Sequence, residues 1–497
     1  MTKIEIKNLT FGFNIREQTL FENISLTMDT NWKLGLIGRN GRGKTTFLKL
    51  LQGEYPYDGK IERQVAFTYF PQKINDKQQL TYYLLQELSA FEDWKLKKEL
   101  NLLHLNPDIL WRSFDSLSGG EQTKVLLAVL FADEFNFPLI DEPTNHLDLL
   151  ARKQVAHYLQ EKRKGFIVVS HDRSFVNSIV DHVLALEKKQ VVLSQGNYAI
   201  YEEQKNMRDS FEEEENVKLK KEIGRLKKTS SEKAQWAHGR EKDKYGSPSK
   251  LGSGAVYDTG FIGARAARTM KRSKTLVKRM EKETAAKEKL LKNIEKNESL
   301  KMNFKPSHHE LLLKAENLQL FFENKPLFAP VNFELRRGER LLLKGRNGAG
   351  KSSLVKYLLN DFKGTAKGNI IKPQVLKYSY VRQDYEDNKG TLQQFAKRYQ
   401  LDYTDLANNL HKLGVERDAF ETPIEKMSMG QKKRVELAKS LAASAELFIW
   451  DEPLNYLDVF NQEQLEELIK TVKPTMLIVE HDDAFIKNIV TKSVILC

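Results

Sequence analysis

The sequence predicts an α/β protein in which two tandem P-loop nucleotide-binding domains are joined by a long α-helical hairpin linker. Three observations carry that prediction. First, one set of short motifs occurs twice: GRNGRGKT (38–45), LSGGE (117–121), LIDEPTNHLD (139–148) and SHD (170–172), then GRNGAGKS (345–352), MSMGQ (427–431), IWDEPLNYLD (449–458) and EHD (480–482). The spacing is held: Ser118 to Asp141 and Ser428 to Asp451 are both 23 residues, and Asp141 to His171 and Asp451 to His481 are both 30. Second, the chemistry-bearing motifs follow short apolar runs, as buried parallel strands do. Third, the segment between the copies has no nucleotide motif and is rich in helix formers.

The expected boundaries are 1–204 for the first domain, 205–306 for the linker and 307–497 for the second domain. In the first domain the runs LGLIG, PLIDE and FIVVSHD read as strands, each followed by a loop and a helix; LLLKG, LFIWDE and TMLIVEHD repeat the order in the second. A small insert at about 78–112 reads as helical. It would either touch a partner or simply pack. The linker lacks proline from Tyr201 to Ser247. Its glycine-rich stretch at about 245–263 breaks the helical pattern and reads as the tip of a hairpin. Leu219, Ile223 and Leu226 share one face of the first helix. Val277, Met280, Leu291 and Ile294 form a seam on the second, interrupted by Thr284 and Lys287. An arm of about 38 residues rises ~57 Å.

Mean hydropathy is −0.53 and the longest clean apolar run is 125–132, too short to span a bilayer. The N-terminal alternation reads as a β-strand and not as a signal peptide. The one cysteine, Cys497, allows no intramolecular disulfide. A cytoplasmic protein is expected. Of the net charge of +13, the linker carries 27 Lys and Arg against 15 Asp and Glu, so the two nucleotide domains are close to neutral. A basic patch confined to one segment is the footprint of a polyanion partner. A passive solvated connector gains nothing from such a charge.

The two P-loops predict the nucleotide chemistry. Gly38, Asn40, Gly41 and Gly43, and Gly345, Asn347, Gly348 and Gly350, let backbone N–H groups close around phosphate oxygens. Lys44 and Lys351 neutralise the β- and γ-phosphates. The Thr45 and Ser352 hydroxyls face Mg²⁺, and Thr46 and Ser353 continue each cradle into its helix. Asp141 and Asp451 would hold the metal, while Glu142 and Glu452 would orient the attacking water. His171 and His481 end the next strand and would touch the γ-phosphate. Gln72 and Gln383 sit where a side chain can sense metal and water. Phe13 and Phe322 precede the P-loops and either stack on adenine or serve as core aromatics. The expected cofactors are ATP and Mg²⁺.

The order of P-loop, glutamine, LSGG-type signature, DEP and SHD resembles the ATP-binding cassette (ABC) ATPases. The resemblance implies ABC-type domains with two composite sites. In these, the P-loop of one half is closed by the signature of the other. Lys44, Thr45, Gln72, Asp141, Glu142 and His171 would pair with Ser428 and Gly430. Lys351, Ser352, Gln383, Asp451, Glu452 and His481 would pair with Ser118, Gly119 and Gly120. Two fused cassettes, a charged linker and DEPTNHLD resemble the ABC-F group. GLIGRNGRGKTT, GARAARTMKRSK, YVRQDYEDN and IWDEPLNYLDVFNQ look like its Lsa-type antibiotic-resistance members. That likeness implies a monomer that binds the 70S ribosome. The linker would meet 23S rRNA near the peptidyl-transferase centre and P-site tRNA, with neither membrane nor DNA as a partner. It also implies protection against lincosamides, pleuromutilins and streptogramin A. Lys244, Tyr245, Lys250, Tyr257, Phe261, Arg265, Arg268, Lys271, Arg272 and Lys274 are the candidate RNA contacts, through charge and stacking. The competing readings are a housekeeping translation factor of the same group, the ATPase subunit of a drug exporter and a DNA-directed ATPase. The second half departs from the pattern at Met429, Leu454 and Tyr456. The expectation is unequal turnover, the site closed by Ser428 and Met429 being slower because a bulky residue there can misplace donors.

Overall fold

The computed structural model describes residues 3–13, 19–133, 135–145, 147–187, 190–242, 259–290, 299–346 and 348–496. The chain forms two compact units: Met1–Tyr201 with Asn297–Cys497, and Glu202–Lys296.

In the first half of the larger unit the order is β1 (Lys3–Gly12), β2 (Thr19–Asp29), β3 (Lys33–Gly38), α1 (Lys44–Gln52), β4 (Asp58–Glu62), β5 (Ala66–Phe70), α2 (Thr81–Leu88), α3 (Asp93–Leu102), α4 (Gly119–Ala132), β6 (Asn136–Asp141), α5 (Leu149–Glu161), β7 (Phe166–Val169), α6 (Arg173–Ile179), β8 (His182–Glu187) and β9 (Gln190–Gln195). The main sheet runs β5-β6-β7-β3-β8-β9. It is parallel except for β9, and a small antiparallel sheet β2-β1-β4 lies beside it. The apolar runs are central strands: Leu34, Leu36, Leu139, Ile140, Ile167 and Val168 are fully buried because helices α4, α5 and α6 cover one face and α1 with the antiparallel sheet covers the other. The chemistry falls on the loops at the carboxyl ends of these strands, as in other open α/β sheets.

The second half repeats this plan. After β10 (Leu311–Phe322), β11 (Lys325–Pro326), β12 (Val331–Arg336), β13 (Arg340–Lys344), α9 (Lys351–Leu358), β14 (Thr365–Ile371), β15 (Tyr378–Val381), α10 (Leu392–Arg398), α11 (Tyr403–Lys412) and α12 (Met429–Ala442) come β16 (Leu447–Asp451), α13 (Val459–Val472), β17 (Met476–Val479), α14 (Asp483–Ile489) and β18 (Lys492–Ile495). Its parallel sheet is β15-β16-β17-β13-β18.

The insert is helical and amphipathic. Leu84, Leu85, Leu96 and Leu100 join the core of the first half, while Tyr83, Trp94 and Trp111 stay exposed. Packing therefore explains one face of the insert.

The smaller unit holds α7 (Tyr198–Lys242) from Glu202 onward and α8 (Thr259–Leu290). Of the two expected boundaries of the linker, the second shifts. Tyr198 and Tyr201, on the first turn of α7, are buried in the core of the first half. At the other end Leu300 is buried in the second half, and the Asn303 and Lys305 N–H groups bond to Leu441 O and Ala445 O, so 299–306 belongs to that half and not to the linker. Thr259–Gly263, expected as loop, are helical and belong to α8. The seam continues where it was expected to break. Thr284 is buried and its hydroxyl bonds to Met280 O at 2.7 Å, and Lys287 reaches Glu222 across the helix pair, beside buried Ile223. Leu291 and Ile294 lie outside the described residues, as do Lys244, Tyr245, Lys250, Tyr257 and Asn347. Phe261 and Arg265 fall on α8. Arg268, Lys271, Arg272 and Lys274 are on α8 and exposed.

Candidate active sites

Each P-loop bends from a central strand into a helix. Gly43 and Gly350 cap α1 and α9 at φ 87° and 82°, a left-handed turn that glycine adopts without strain. The lysines are tied back into their own loops. Lys44 Nζ donates to Gly38 O (2.8 Å) and Asn40 Oδ1 (3.1 Å); Lys351 Nζ donates to Gly345 O (2.8 Å) and Arg346 O (3.0 Å). Burial lowers both pKa values, and nearby carboxylates oppose it.

The carboxylates arrive at the ends of β6 and β16. Thr45 Oγ1 donates to Asp141 Oδ2 at 2.7 Å, and the Tyr69 hydroxyl donates to the same oxygen at 2.8 Å. Gln72 Oε1 is buried without a partner among the described residues. In the second half burial pushes Asp451 up to about 6, opposed by the Ser352 hydroxyl. Magnesium takes hydroxyl, carboxylate, amide and phosphate oxygens. Thr45, Asp141 and Gln72, and Ser352, Asp451 and Gln383, therefore fit it, and the metal would neutralise charge on the phosphates.

The next residues are strained in both halves. Glu142 and Glu452 have φ of 52° and 48°, a region that non-glycine residues seldom occupy. Each is pinned by a backbone bond to the next strand, Glu142 N–H to Val169 O (2.8 Å) and Glu452 N–H to Val479 O (2.9 Å). This conformation turns the carboxylate out of the strand line into the cavity.

There the halves diverge. His171 Nε2 lies 3.2 Å from Glu142 Oε1, and burial pushes Glu142 up to about 8 despite Lys44. Glu452 Oε2 instead accepts from Gln383 Nε2 (3.0 Å) and Asn455 Nδ2 (2.7 Å), and His481 Nε2 is 3.9 Å from its other oxygen. Burial, then the P-loop lysines, hold both histidines well below their usual range, His481 at about 4. Both rings are neutral at neutral pH.

The signatures cap helices. Ser118 and Ser428 are the N-caps of α4 and α12, each closing a capping box with Glu121 or Gln431. Met429 disturbs nothing here: its side chain is exposed, and Ser428 has φ −63° against −59° for Ser118. The expected misplacement of donors by Met429 is not seen. Leu454 belongs to a paired change. In the first half the Thr144 and Ser170 hydroxyls bond at 2.9 Å. In the second half the buried carboxyl of Glu480 accepts the Leu454 N–H (3.2 Å) and the His481 N–H (2.9 Å).

Three cavities gather most of these groups, while Gln72, Ser118, Gly120 and Asp451 line none of the three. One of about 470 Å³ is lined by Phe13, Gly43, Lys44, Thr45, Thr46, Asp141, Glu142 and His171. A second, of about 460 Å³, joins Glu142 and His171 to Ser428 and Gly430 of the other half. The third, of about 560 Å³, joins Lys351, Ser352, Ser353, Gln383, Glu452 and His481 to Gly119. Both sites are therefore composite. Phe13 lines the first site; Phe322, half exposed at the end of β10, is not among the residues lining the second.

The motifs assign no role to Asp458, Gln462, Arg173, Val459 and Glu466, which add contacts between the halves beside the first site. Asn40 N–H donates to Asp458 Oδ2 (2.7 Å), and Asn40 Nδ2 donates to Tyr456 O (3.0 Å). Gln462 Nε2 donates to His171 O (3.1 Å), and Arg173 donates to Val459 O (3.1 Å) and pairs with Glu466 (3.5 Å). A repeat aligned on the motifs contains the signal for Asp458 and Tyr69, since Asp148 and Tyr380 stand at matching positions.

Two P-loop domains that complete each other's sites define an ATP hydrolase of the paired-domain type. The ABC transporter family model matches residues 21–145 and 328–455. The chain belongs to that family. The ribosome protection protein VmlR of Bacillus subtilis is 27% identical, with 97% of this chain and 85% of that protein covered. The erythromycin resistance ATP-binding protein MsrA of Staphylococcus epidermidis is 28% identical, covering 98% and 97%. These relatives are ABC-F-type proteins. Among solved structures, the archaeal ribosome recycling factor aABCE1, in complex with stalk protein aP1, has the same fold at TM-score 0.63 and 20% identity, with 98% and 87% covered. No helix among the described residues is long and apolar enough to cross a membrane.

One expected result follows from the Glu142 environment. With Glu452→Gln silencing the second site, the remaining ATPase rate should rise about tenfold between pH 7 and pH 9 as Glu142 loses its proton near pH 8. A flat rate across that range would show that Glu142 is already ionised at neutrality.

Proposed function

We propose that this chain is an ABC-F ATPase that binds the bacterial 70S ribosome and protects it from antibiotics acting at the peptidyl-transferase centre. ATP would clamp the two halves through the composite sites, and hydrolysis would release them. Lys44 and Lys351 would hold the phosphates, Glu142 and Glu452 would orient water, and His171 and His481, neutral in this setting, would donate toward the γ-phosphate. The basic helical arm carries the reading: +12 of the chain's +13 lies at 205–306, and Arg268, Lys271, Arg272 and Lys274 stand exposed on α8. Relatives named for ribosome protection and erythromycin resistance match over nearly the whole chain. The arm would reach 23S rRNA near the drug site and P-site tRNA. Lincosamides, pleuromutilins and streptogramin A are the drug classes we assign, and the cytoplasm is the compartment.

The test is co-sedimentation of the Glu142→Gln/Glu452→Gln variant with 70S particles, with and without ATP. ATP-dependent binding supports the reading; no binding at low salt removes it. Charge alone gives only salt-sensitive RNA affinity, so the tip must supply specificity. Deleting 250–260 should abolish resistance in an expressing strain while leaving ATP hydrolysis within about twofold, since both composite sites lie outside that stretch. Full resistance after that deletion would reject the tip's role. Ribosome binding with no change in susceptibility to any of the three classes would favour a housekeeping factor of the same group.

A further inference from the structure

The second site holds a lysine at a position where the first half has an uncharged residue. Lys433 lies on α12, five residues after the signature serine, and the corresponding residue on α4 is Thr123, whose hydroxyl bonds to Gly119 O at 2.9 Å. Lys433 is 1% exposed, yet it lines the same cavity as Lys351, Ser352, Glu452 and His481. Burying an ammonium is costly unless it is paired and hydrogen-bonded.

Its pairing within the protein is weak. Among the described residues its one hydrogen bond is a long one, 3.4 Å to Arg382 O, and the Tyr385 ring lies 5.6 Å away. Four carboxylates surround it: Glu480, Glu436, Asp451 and Glu452. Three of them have other partners: Glu436 is held by Arg382, Lys439 and Asn388; Glu480 by two backbone N–H groups; Glu452 by Gln383 and Asn455. Both oxygens of the fourth, Asp451, are buried without a hydrogen bond among the described residues, and Lys433 does not bond to them. A buried ammonium with donors to spare, on the wall of a phosphate cavity, makes no hydrogen bond to an anionic acceptor among the described residues.

We propose that Lys433 is a nucleotide-binding residue of the second site, supplying a second cation for the terminal phosphate of a nucleoside triphosphate. This rests on the assignment of Lys351, Ser352 and Glu452 to that site. The cation would make the second site discriminate triphosphate from diphosphate more sharply than the first. A charge-assisted bond to a phosphate made only by the triphosphate favours it by about tenfold or more.

The experiment uses the full chain with Lys44→Ala to suppress the first site. Binding of adenosine 5′-(β,γ-imido)triphosphate and of ADP, both with Mg²⁺, is measured for Lys433, Lys433→Met and Lys433→Arg. Lys433→Met should weaken the triphosphate about tenfold or more while leaving ADP within about twofold, and Lys433→Arg should keep most of the preference. Equal weakening of both nucleotides, or no change in either, overturns the proposal. If Lys433→Met does not fold, Lys433→Thr, the residue of the first half, gives the same comparison. Adding Lys351→Ala is the control on the site itself: it should abolish both nucleotides. If it does not, the site assignment has failed, and not merely the role of Lys433.

Discussion

Replacing Glu142 and Glu452 together by glutamine should cut ATP turnover by about a hundredfold or more while both nucleotides stay bound. An amide keeps the size and position of each side chain but cannot accept a proton from water, and a positioned base contributes roughly 10²–10⁴ in rate. Binding should survive because the P-loop contacts of Lys44 and Lys351 do not involve these side chains. The single variants should differ. Glu452 accepts two amide N–H bonds that hold its carboxylate in place, whereas Glu142 is pushed up to about 8 by burial beside a neutral histidine and, while protonated, cannot take a proton from water. Glu452→Gln should therefore remove the larger share at pH 7. Phosphate release by each variant measures this, and equal residual rates would show that the two sites turn over alike. The asymmetry anticipated from the motif departures thus keeps its direction but changes its cause. Met429 leaves the helix cap undisturbed, and the difference lies in what surrounds each glutamate.

Asp458→Ala should have the next largest effect, because one side chain performs three tasks. Its Oδ1 caps α13 through the Asn461 N–H at 2.9 Å, its Oδ2 accepts the Asn40 N–H of the opposite P-loop at 2.7 Å, and the same oxygen pairs with buried Arg434 at 3.4 Å. Losing an N-cap costs about 1 kcal/mol. Leaving a buried arginine without its partner costs about 3–5 kcal/mol. The second half should melt at lower temperature, and nucleotide affinity of the first site should fall, since Asn40 loses its anchor. Asp458→Asn restores the cap but not the charge, so it should recover the smaller part of the stability and little of the pairing with Arg434. Calorimetry and nucleotide titration of the two variants check this. An unchanged melting temperature in Asp458→Ala would mean that Arg434 finds another partner or water.

Much of this was legible in residue order. The P-loops, the carboxylates that end β6 and β16 and the histidines after β7 and β17 are local features. Strand, turn and helix follow one another within a few residues, so spacing alone places Lys44 near Asp141 in kind if not in distance. Other features were not local. That Leu454 and Glu480 are one change in two places depends on β16 and β17 lying side by side, which sets the Leu454 N–H on a carboxyl 26 residues away. The continuation of the α8 seam through Thr284 and Lys287 depends on Glu222, 65 residues from Lys287.

The sequence by itself determined the fold class, the twofold repeat, the placement of the motifs at the ends of strands and the concentration of positive charge in one arm. All of these are written in patterns short enough to be read within one turn, one strand or one motif. Tertiary structure alone decided which aromatic reaches a nucleotide cavity, how the two glutamates differ, and which side chains bridge from Asn40 to Asp458 across 418 positions. The reason is physical: burial, pKa and pairing depend on what packs around a group, and here the packing partners come from the other half of the chain.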